Sequence, residues 1–126
     1  MDIDWQNGSR TVRWGTDGAA ERTFDRPPVS VVGFDDPPSI LVIEDPEDPA
    51  GGTAQPSNAL VLNPDGTERL RLAVPDVPEP SWRIGYYTAY PDVDGGIVAV
   101  YATRVGDLQG RPDLTTGALH DVREWR

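Results

Sequence analysis

The sequence lacks several residue types on which enzymes commonly depend. It contains no cysteine and no lysine, and its one histidine is His120. The absence of cysteine excludes disulfides, thiolate nucleophiles and cysteine-ligated zinc or iron–sulfur sites. The absence of lysine excludes Schiff-base chemistry on a lysine side chain, and a single histidine excludes any metal site with two histidine ligands.

The remaining candidate groups do not form a known catalytic arrangement. A Ser-His-Asp triad would need His120 as its base, and the neighbouring Asp121 would point to the opposite face of a strand. None of the serines stands in a G-x-S-x-G sequence. We therefore predict no enzymatic activity, no cofactor and no bound metal. A hydrolase that uses two paired carboxylates is an alternative, because acidic residues are plentiful.

Long apolar runs are also missing. None approaches the ~20 residues that a membrane-spanning helix needs. The chain opens on MDIDWQ, without the basic and apolar stretches of a signal peptide. We therefore expect a cytoplasmic protein with no membrane partner.

Positive charge is scarce and unevenly distributed. The formal net charge is −10, from 21 acidic residues and 11 arginines, and residues 27–68 hold eight of the acids and no arginine. A negative field of this kind repels phosphate groups and attracts basic proteins or cations. The distribution predicts a basic protein partner and argues against nucleic acid binding.

Glycine and proline, by contrast, are abundant, with thirteen of each. They separate short β-rich segments, and no segment shows a sustained 3.6-residue apolar period. The length is that of one domain, residues 1–126. We predict an all-β fold, an antiparallel meander of about 9–11 short strands that forms a sandwich, a barrel or propeller-blade-like sheets, with no long helix.

Turn signals allow three hairpins to be aligned. A two-residue turn at Asn7-Gly8 would pair Ile3 with Val12. That pairing would place on one face Ile3, Trp5, Arg10, Val12 and Trp14. A turn at Pro64-Asp65-Gly66 would place Leu62 opposite Glu68 and Leu60 opposite Leu70, so that one face would carry Leu60, Leu62, Leu70 and Leu72.

The third hairpin, Trp82 to Arg104, has hydrophobic residues on both predicted faces. We assign its turn, Asp92 to Gly95, the same loop as the turn before Thr67. Tyr87 would then lie opposite Tyr101, and the other face would carry Tyr86, Thr88, Tyr90, Val98, Val100 and Ala102. We predict that this hairpin is central and covered on two sides.

Two segments resemble single hairpins of β-propeller blades: NALVLNPDGTERLRL (58–72) and DLTTGAL (113–119). The resemblance implies blade-like antiparallel sheets. About three blades would fit in a chain of this length, so a closed propeller would require oligomerisation.

Function is predicted from the acidic middle third. Residues 45–57 contain no hydrophobic residue larger than alanine, which is typical of a long surface loop. We predict a small interaction domain, of the inhibitor or immunity type, that binds a basic partner through six acids: Asp35, Asp36, Glu44, Asp45, Glu47 and Asp48.

Further alternatives remain open. A carbohydrate- or small-ligand-binding domain would use exposed aromatic rings, with Trp5, Trp14, Tyr87 and Tyr101 as the candidates and at least two rings facing solvent in a concave patch. Calcium is considered at Asp92-Val93-Asp94-Gly95, which lacks the third oxygen ligand and the downstream Glu of a calcium loop. The protein would be a monomer or a homodimer joined through an edge strand.

Overall fold

The all-β prediction is confirmed. The computed structural model describes residues 2–15, 20–35, 38–45, 57–94 and 96–124, and these residues form eleven strands in three antiparallel sheets. The first sheet contains β1 (Ile3–Asp4), β2 (Thr11–Trp14) and β3 (Ala20–Thr23). The second contains β4 (Ser30–Asp35), β5 (Pro38–Ile43), β6 (Ala59–Leu62) and β7 (Glu68–Arg71). The third contains β8 (Arg83–Pro91), β9 (Ile97–Thr103), β10 (Gly106–Pro112) and β11 (Leu119–Glu124).

Helical structure in the described residues is limited to one 3-10 turn, Pro80–Trp82. The described residues contain no helix with the length and hydropathy that a membrane span requires. Of the predicted loop 45–57, residues 46–56 lie outside the described residues.

Each sheet is a simple meander, and the sheets are stacked in chain order. Consecutive strands pair within every sheet, and the first strands of neighbouring sheets lie side by side, β1 beside β4 and β4 beside β8. The second and third sheets therefore have the four-stranded meander form of propeller blades. Within the described ranges the sheets do not close into a barrel.

The second sheet lies between two hydrophobic cores. The core shared with the first sheet contains Val12, Trp14, Phe24, Ile40, Val42, Leu60 and Leu62. The core shared with the third sheet contains Leu41, Ile43, Ala59, Val61, Leu72, Tyr86, Ala89, Ala99, Tyr101 and Leu114. Because the side chains of β5 and β6 alternate between these two cores, these strands occupy the central position that the sequence predicts for the Trp82–Arg104 hairpin.

The first hairpin has the predicted face and a different register. Ser9 donates its N–H to the carbonyl of Gln6 (2.9 Å), as the Asn7-Gly8 turn requires. Ile3, however, pairs with Trp14 rather than with Val12. The shift is two residues, so the alternation is preserved and the same apolar side chains pack on the second sheet.

The second hairpin contains a bulge that the sequence does not predict. Leu62 lies opposite Glu68, as expected, but Val61 pairs with Leu70, so Arg69 is the additional residue. A bulge reverses the alternation beyond it. Leu70 and Leu72 therefore contact the core of the third sheet, and the prediction that they share a face with Leu60 and Leu62 is wrong.

The third hairpin shows the same effect at Tyr87. Tyr86, not Tyr87, pairs with Tyr101, and a bulge follows Tyr86. The rings of Tyr86 and Tyr101 pack edge to face with centroids 4.9 Å apart in the core. Beyond the bulge the predicted pairing is correct, with Thr88 opposite Val100 and Tyr90 opposite Val98.

Candidate functional site

Alternate turns of the meanders meet at one end of the molecule. The Arg69 guanidinium connects three of them, because it donates to the carbonyl of Pro38 (2.7 Å), to Oδ1 of Asn63 (2.7 Å) and to the carbonyl of Leu114 (3.4 Å). The β4–β5, β6–β7 and β10–β11 turns are therefore neighbours.

Two further contacts complete this end. Arg111, the residue before the last of β10, forms ion pairs with Asp92 and Asp94 of the β8–β9 turn. The indole N–H of Trp14 donates to the carbonyl of Pro64 (2.7 Å), which fixes the first sheet against the β6–β7 turn. We call this surface the aspartate end, because it collects Asp35, Asp65, Asp92, Asp94 and Asp113.

Most of these aspartates stabilise the turns in which they lie. Oδ1 of Asp65 accepts hydrogen bonds from the N–H (2.9 Å) and the hydroxyl (2.6 Å) of Thr67. Asp113 accepts from the N–H of Thr115 (2.7 Å), and Asp94 from the N–H two residues further on (2.9 Å). Hydrogen bonds to the ionised carboxylate favour its charged form, so the pKa values of Asp65, Asp94 and Asp113 are lowered.

Charge is distributed unequally between the two ends. Within the described residues, the five aspartates of the aspartate end and the two guanidinium groups that contact its turns, those of Arg69 and Arg111, sum to a charge of −3. The described connections at the opposite end contain Asp25, Glu44, Asp45, Asp76 and Glu79 together with Arg10, Arg26 and Arg104. Arg71, which pairs with Glu44, also reaches this end, so the charges counted among its described residues sum to −1.

The three predicted acidic residues that the structure describes do not lie on one surface. Asp35 lies at the aspartate end, whereas Glu44 and Asp45 lie at the opposite end. They are separated by the six residues of β5, roughly 20 Å at ~3.3 Å per residue. Three other predicted residues lie outside the described ranges: Asp36, Glu47 and Asp48.

Two of the predicted acids are paired within the protein. Oε1 of Glu44 lies 2.7 Å from a guanidinium nitrogen of Arg71, and Oδ2 of Asp45 lies 2.8 Å from one of Arg26. The arginines come from segments distant in sequence, so these pairs could not be identified from the local composition of residues 27–68.

Nothing in the described residues forms a cluster of three or more side chains suited to hold a metal ion. In the turn considered for calcium, the Arg111 guanidinium contacts both carboxylates, and its NH1 lies 3.3 Å from Oδ2 of Asp94. This cation neutralises the charge that a calcium ion would need.

The aromatic residues predicted for ligand stacking are not exposed. Trp14 and Tyr101 are buried, and Trp5 and Tyr87 are half-buried. The Tyr87 hydroxyl donates to Asp107 (2.8 Å), and burial together with this carboxylate raises the pKa of Tyr87 to about 12. Among the aromatic residues that the structure describes, Tyr90 is the one with an exposed ring, so the expected pair of solvent-facing rings is not found there.

Tyr90 borders a groove that sequence reasoning missed. The groove lies on the outer face of the third sheet, away from the second sheet, and its volume is about 180 Å³. Its polar lining includes Asp92, Gln109, Arg111, Asp121 and Arg123. Together with Tyr90, these residues come from three strands and a turn, and no motif in the sequence connects them.

Comparisons with protein-family models, with curated proteins and with solved structures found no match to this chain.

Proposed function

We propose that this protein is a non-enzymatic interaction domain that binds a basic polypeptide through its aspartate end. An inhibitor or immunity-type protein acts in this way when it neutralises a basic target. The observation that carries the proposal is the collection of five aspartates from separate turns on one surface, where the charges counted among the described residues are more negative than those at the opposite end.

Two of the carboxylates at this end, those of Asp65 and Asp113, are oriented by their turns toward a partner. Both hydrogen bonds of Asp65 use Oδ1, and so do both backbone bonds of Asp113. Within the described part of the chain, these turn hydrogen bonds leave Oδ2 of each residue unused. The turn bonds therefore orient each carboxylate, and the second oxygen can accept a charge-assisted bond from an arginine or lysine of a partner.

The lowered pKa values of these groups support binding rather than acid–base catalysis. A hydrolase with two carboxylates needs one whose pKa is raised, so that it can donate a proton near neutral pH. The pKa values of Asp65, Asp94 and Asp113 are shifted in the opposite direction. Ionised carboxylates steer a basic partner, and their attraction weakens with ionic strength.

A charge-neutralising pair of variants tests the proposal. Asp65→Asn combined with Asp113→Asn removes two charges, and the amide Oδ1 can still accept the turn hydrogen bonds. The matched control is Asp76→Asn with Glu79→Gln, which removes two charges at exposed positions of the opposite end. Binding of a fluorescent octa-arginine peptide would be measured by anisotropy at increasing salt concentrations.

We expect the first pair to weaken binding roughly three- to tenfold and to reduce its salt dependence, as the loss of rim charges does. The control should change the affinity less than twofold, on the order of the error of such measurements. Equal losses of affinity in both double variants would show that the peptide responds to the net charge of the protein rather than to one surface. The proposed surface would then be rejected.

A further inference from the structure

The groove on the outer face of the third sheet has the size of a site for one small ring. Its volume of about 180 Å³ lies below the ~300–1,000 Å³ of pockets for drug-sized ligands. The groove is bordered by Tyr90, which is 38% exposed, and its lining includes the apolar Val98. It is separate from the turn carboxylates Asp65 and Asp113 of the proposed partner surface.

One guanidinium is held in place at the edge of this groove. Arg111 forms ion pairs with Asp92 and Asp94, so its position is set before any ligand arrives. Gly96 permits this position, because a Cβ atom there would lie 2.8 Å from NH1 of Arg111. Preorganised polar groups of this kind reduce the entropy cost of binding.

A strained residue lies on the opposite side of the groove. Gln109 pairs with Arg123 and Arg111 pairs with His120, which leaves Asp121 and its successor opposite a single residue of β10 in a β-bulge. Asp121 has φ = 54°, a left-handed conformation that is uncommon outside glycine. Such strain is concentrated at functional sites, where bulges redirect side chains.

Two of the charged groups in the groove have no ionic partner among the described residues. Neither Asp121 nor Arg123 makes an ion pair or a side-chain hydrogen bond within the described ranges, and both are exposed. The lining as a whole is balanced, with two arginines (Arg111 and Arg123) and two aspartates (Asp92 and Asp121). A strongly charged ligand of either sign would meet a like charge, so the lining favours a neutral molecule.

We infer that the groove binds a single sugar ring. Each hydroxyl of a sugar both donates and accepts hydrogen bonds, and it can therefore use the arginine donors, the aspartate acceptors and the amide of Gln109 together. Tyr90 offers an apolar ring face for the C–H side of the sugar and a polar tip for its edge. The groove shares Asp92 and Arg111 with the aspartate end, but its sugar contacts do not use Asp65 or Asp113.

The test is a binding screen with defined sugars. Saturation-transfer NMR on the 126-residue chain would use D-glucose, D-galactose, D-mannose and N-acetyl-D-glucosamine as probes, with glycine and inorganic phosphate as counter-probes. We expect at least one sugar to bind with a Kd on the order of 1 mM, the strength of a small ligand with few contacts. Neither counter-probe should bind in the groove.

Variants assign the binding to the groove. Arg123→Ala and Tyr90→Ala alter exposed side chains, and each should weaken binding of that sugar by roughly tenfold, the loss of about one strong contact. The control, Arg10→Ala, removes an exposed arginine remote from the groove and should leave the affinity unchanged. The inference is overturned if no sugar of the panel binds, if both groove variants bind normally, or if glycine or phosphate occupies the groove instead.

Discussion

At the scale of single residues, Asn58 shows how an edge strand is protected. β8 is an edge strand of the third sheet, so the backbone of Tyr86 would leave a donor and an acceptor unpaired. The Asn58 amide satisfies both, since Nδ2 donates to the Tyr86 carbonyl (2.6 Å) and Oδ1 accepts from the Tyr86 N–H (2.8 Å). Nδ2 also donates to the carbonyl of Glu44 (2.7 Å). One side chain thus joins the second sheet to the third.

We predict that Asn58→Ala lowers the free energy of unfolding by about 2–3 kcal/mol, because it leaves buried backbone groups unsatisfied. Asn58→Asp should cost at least as much, since a carboxylate cannot donate to the two carbonyls and would repel them. Urea denaturation measures both effects, with Gln6→Ala as an exposed control that should change stability by less than about 0.5 kcal/mol. A loss of that same small size in Asn58→Ala would show that the amide does not join the sheets.

At the scale of elements, the turns are where sequence reasoning was most reliable. The loops before Thr67 and Gly96 are closed in the same way, by an N–H from the first residue to the carbonyl of the fifth: Asn63 to Thr67 and Asp92 to Gly96, each 2.8 Å. The third loop is one residue longer, because Asp113 donates to the carbonyl of Ala118. Proline, aspartate and glycine determine these loops through local backbone preferences, so neighbouring sequence suffices to predict them.

Gly117 of the third loop also contacts the segment that follows β7, which the local sequence does not predict. It has φ = 80°, and its carbonyl accepts a hydrogen bond from the N–H of Ala73 (2.8 Å). A Cβ atom there would lie 2.9 Å from the carbonyl oxygen of Arg71. Gly8 has a similar φ of 95°, and a Cβ atom there would meet no atom within 4 Å.

The two glycines provide a matched comparison. Gly8→Ala should cost about 1–2 kcal/mol, the penalty of a left-handed conformation with a side chain. Gly117→Ala should cost a further ~1–3 kcal/mol, because the methyl group also pushes the loop away from the backbone of β7. Urea denaturation of the two variants would measure the difference. Equal losses of unfolding free energy would show that the loop can move to accept the methyl group. The close approach of Gly117 to the Arg71 carbonyl would then have no effect on stability.

At the scale of the whole molecule, the second sheet organises the fold. Its strands β5 and β6 carry side chains into both cores, from Ile40 and Leu60 on one face to Leu41 and Val61 on the other. All four of these side chains are fully buried. The third sheet packs on the second with one face only, and its outer face carries the groove.

We predict that the backbone amides of β5 and β6 exchange with solvent more slowly than any others, because they are released only when both cores open. Amides of β11, an edge strand whose side chains are mostly exposed, should exchange fastest among the strands of the third sheet. Hydrogen exchange followed by mass spectrometry or NMR tests this order. If the amides of β8 and β9 exchanged more slowly than those of β5 and β6, the Trp82–Arg104 hairpin would be the most stable part of the fold, contrary to this prediction.

The sequence by itself determined the strands and turns of this protein, and tertiary structure decided the rest. Period-two alternation and turn residues act over a few neighbours, so they predict an all-β meander and the face of the first hairpin. The bulges at Arg69, Tyr87 and Asp121 depend on tertiary packing against the rest of the protein. Each bulge reverses the face to which the following side chains of its strand point. Stacking of the meanders brings the aspartates of separate turns together at one end. Asp35 and Glu44, although close in sequence, lie far apart because the extended strand β5 runs between them.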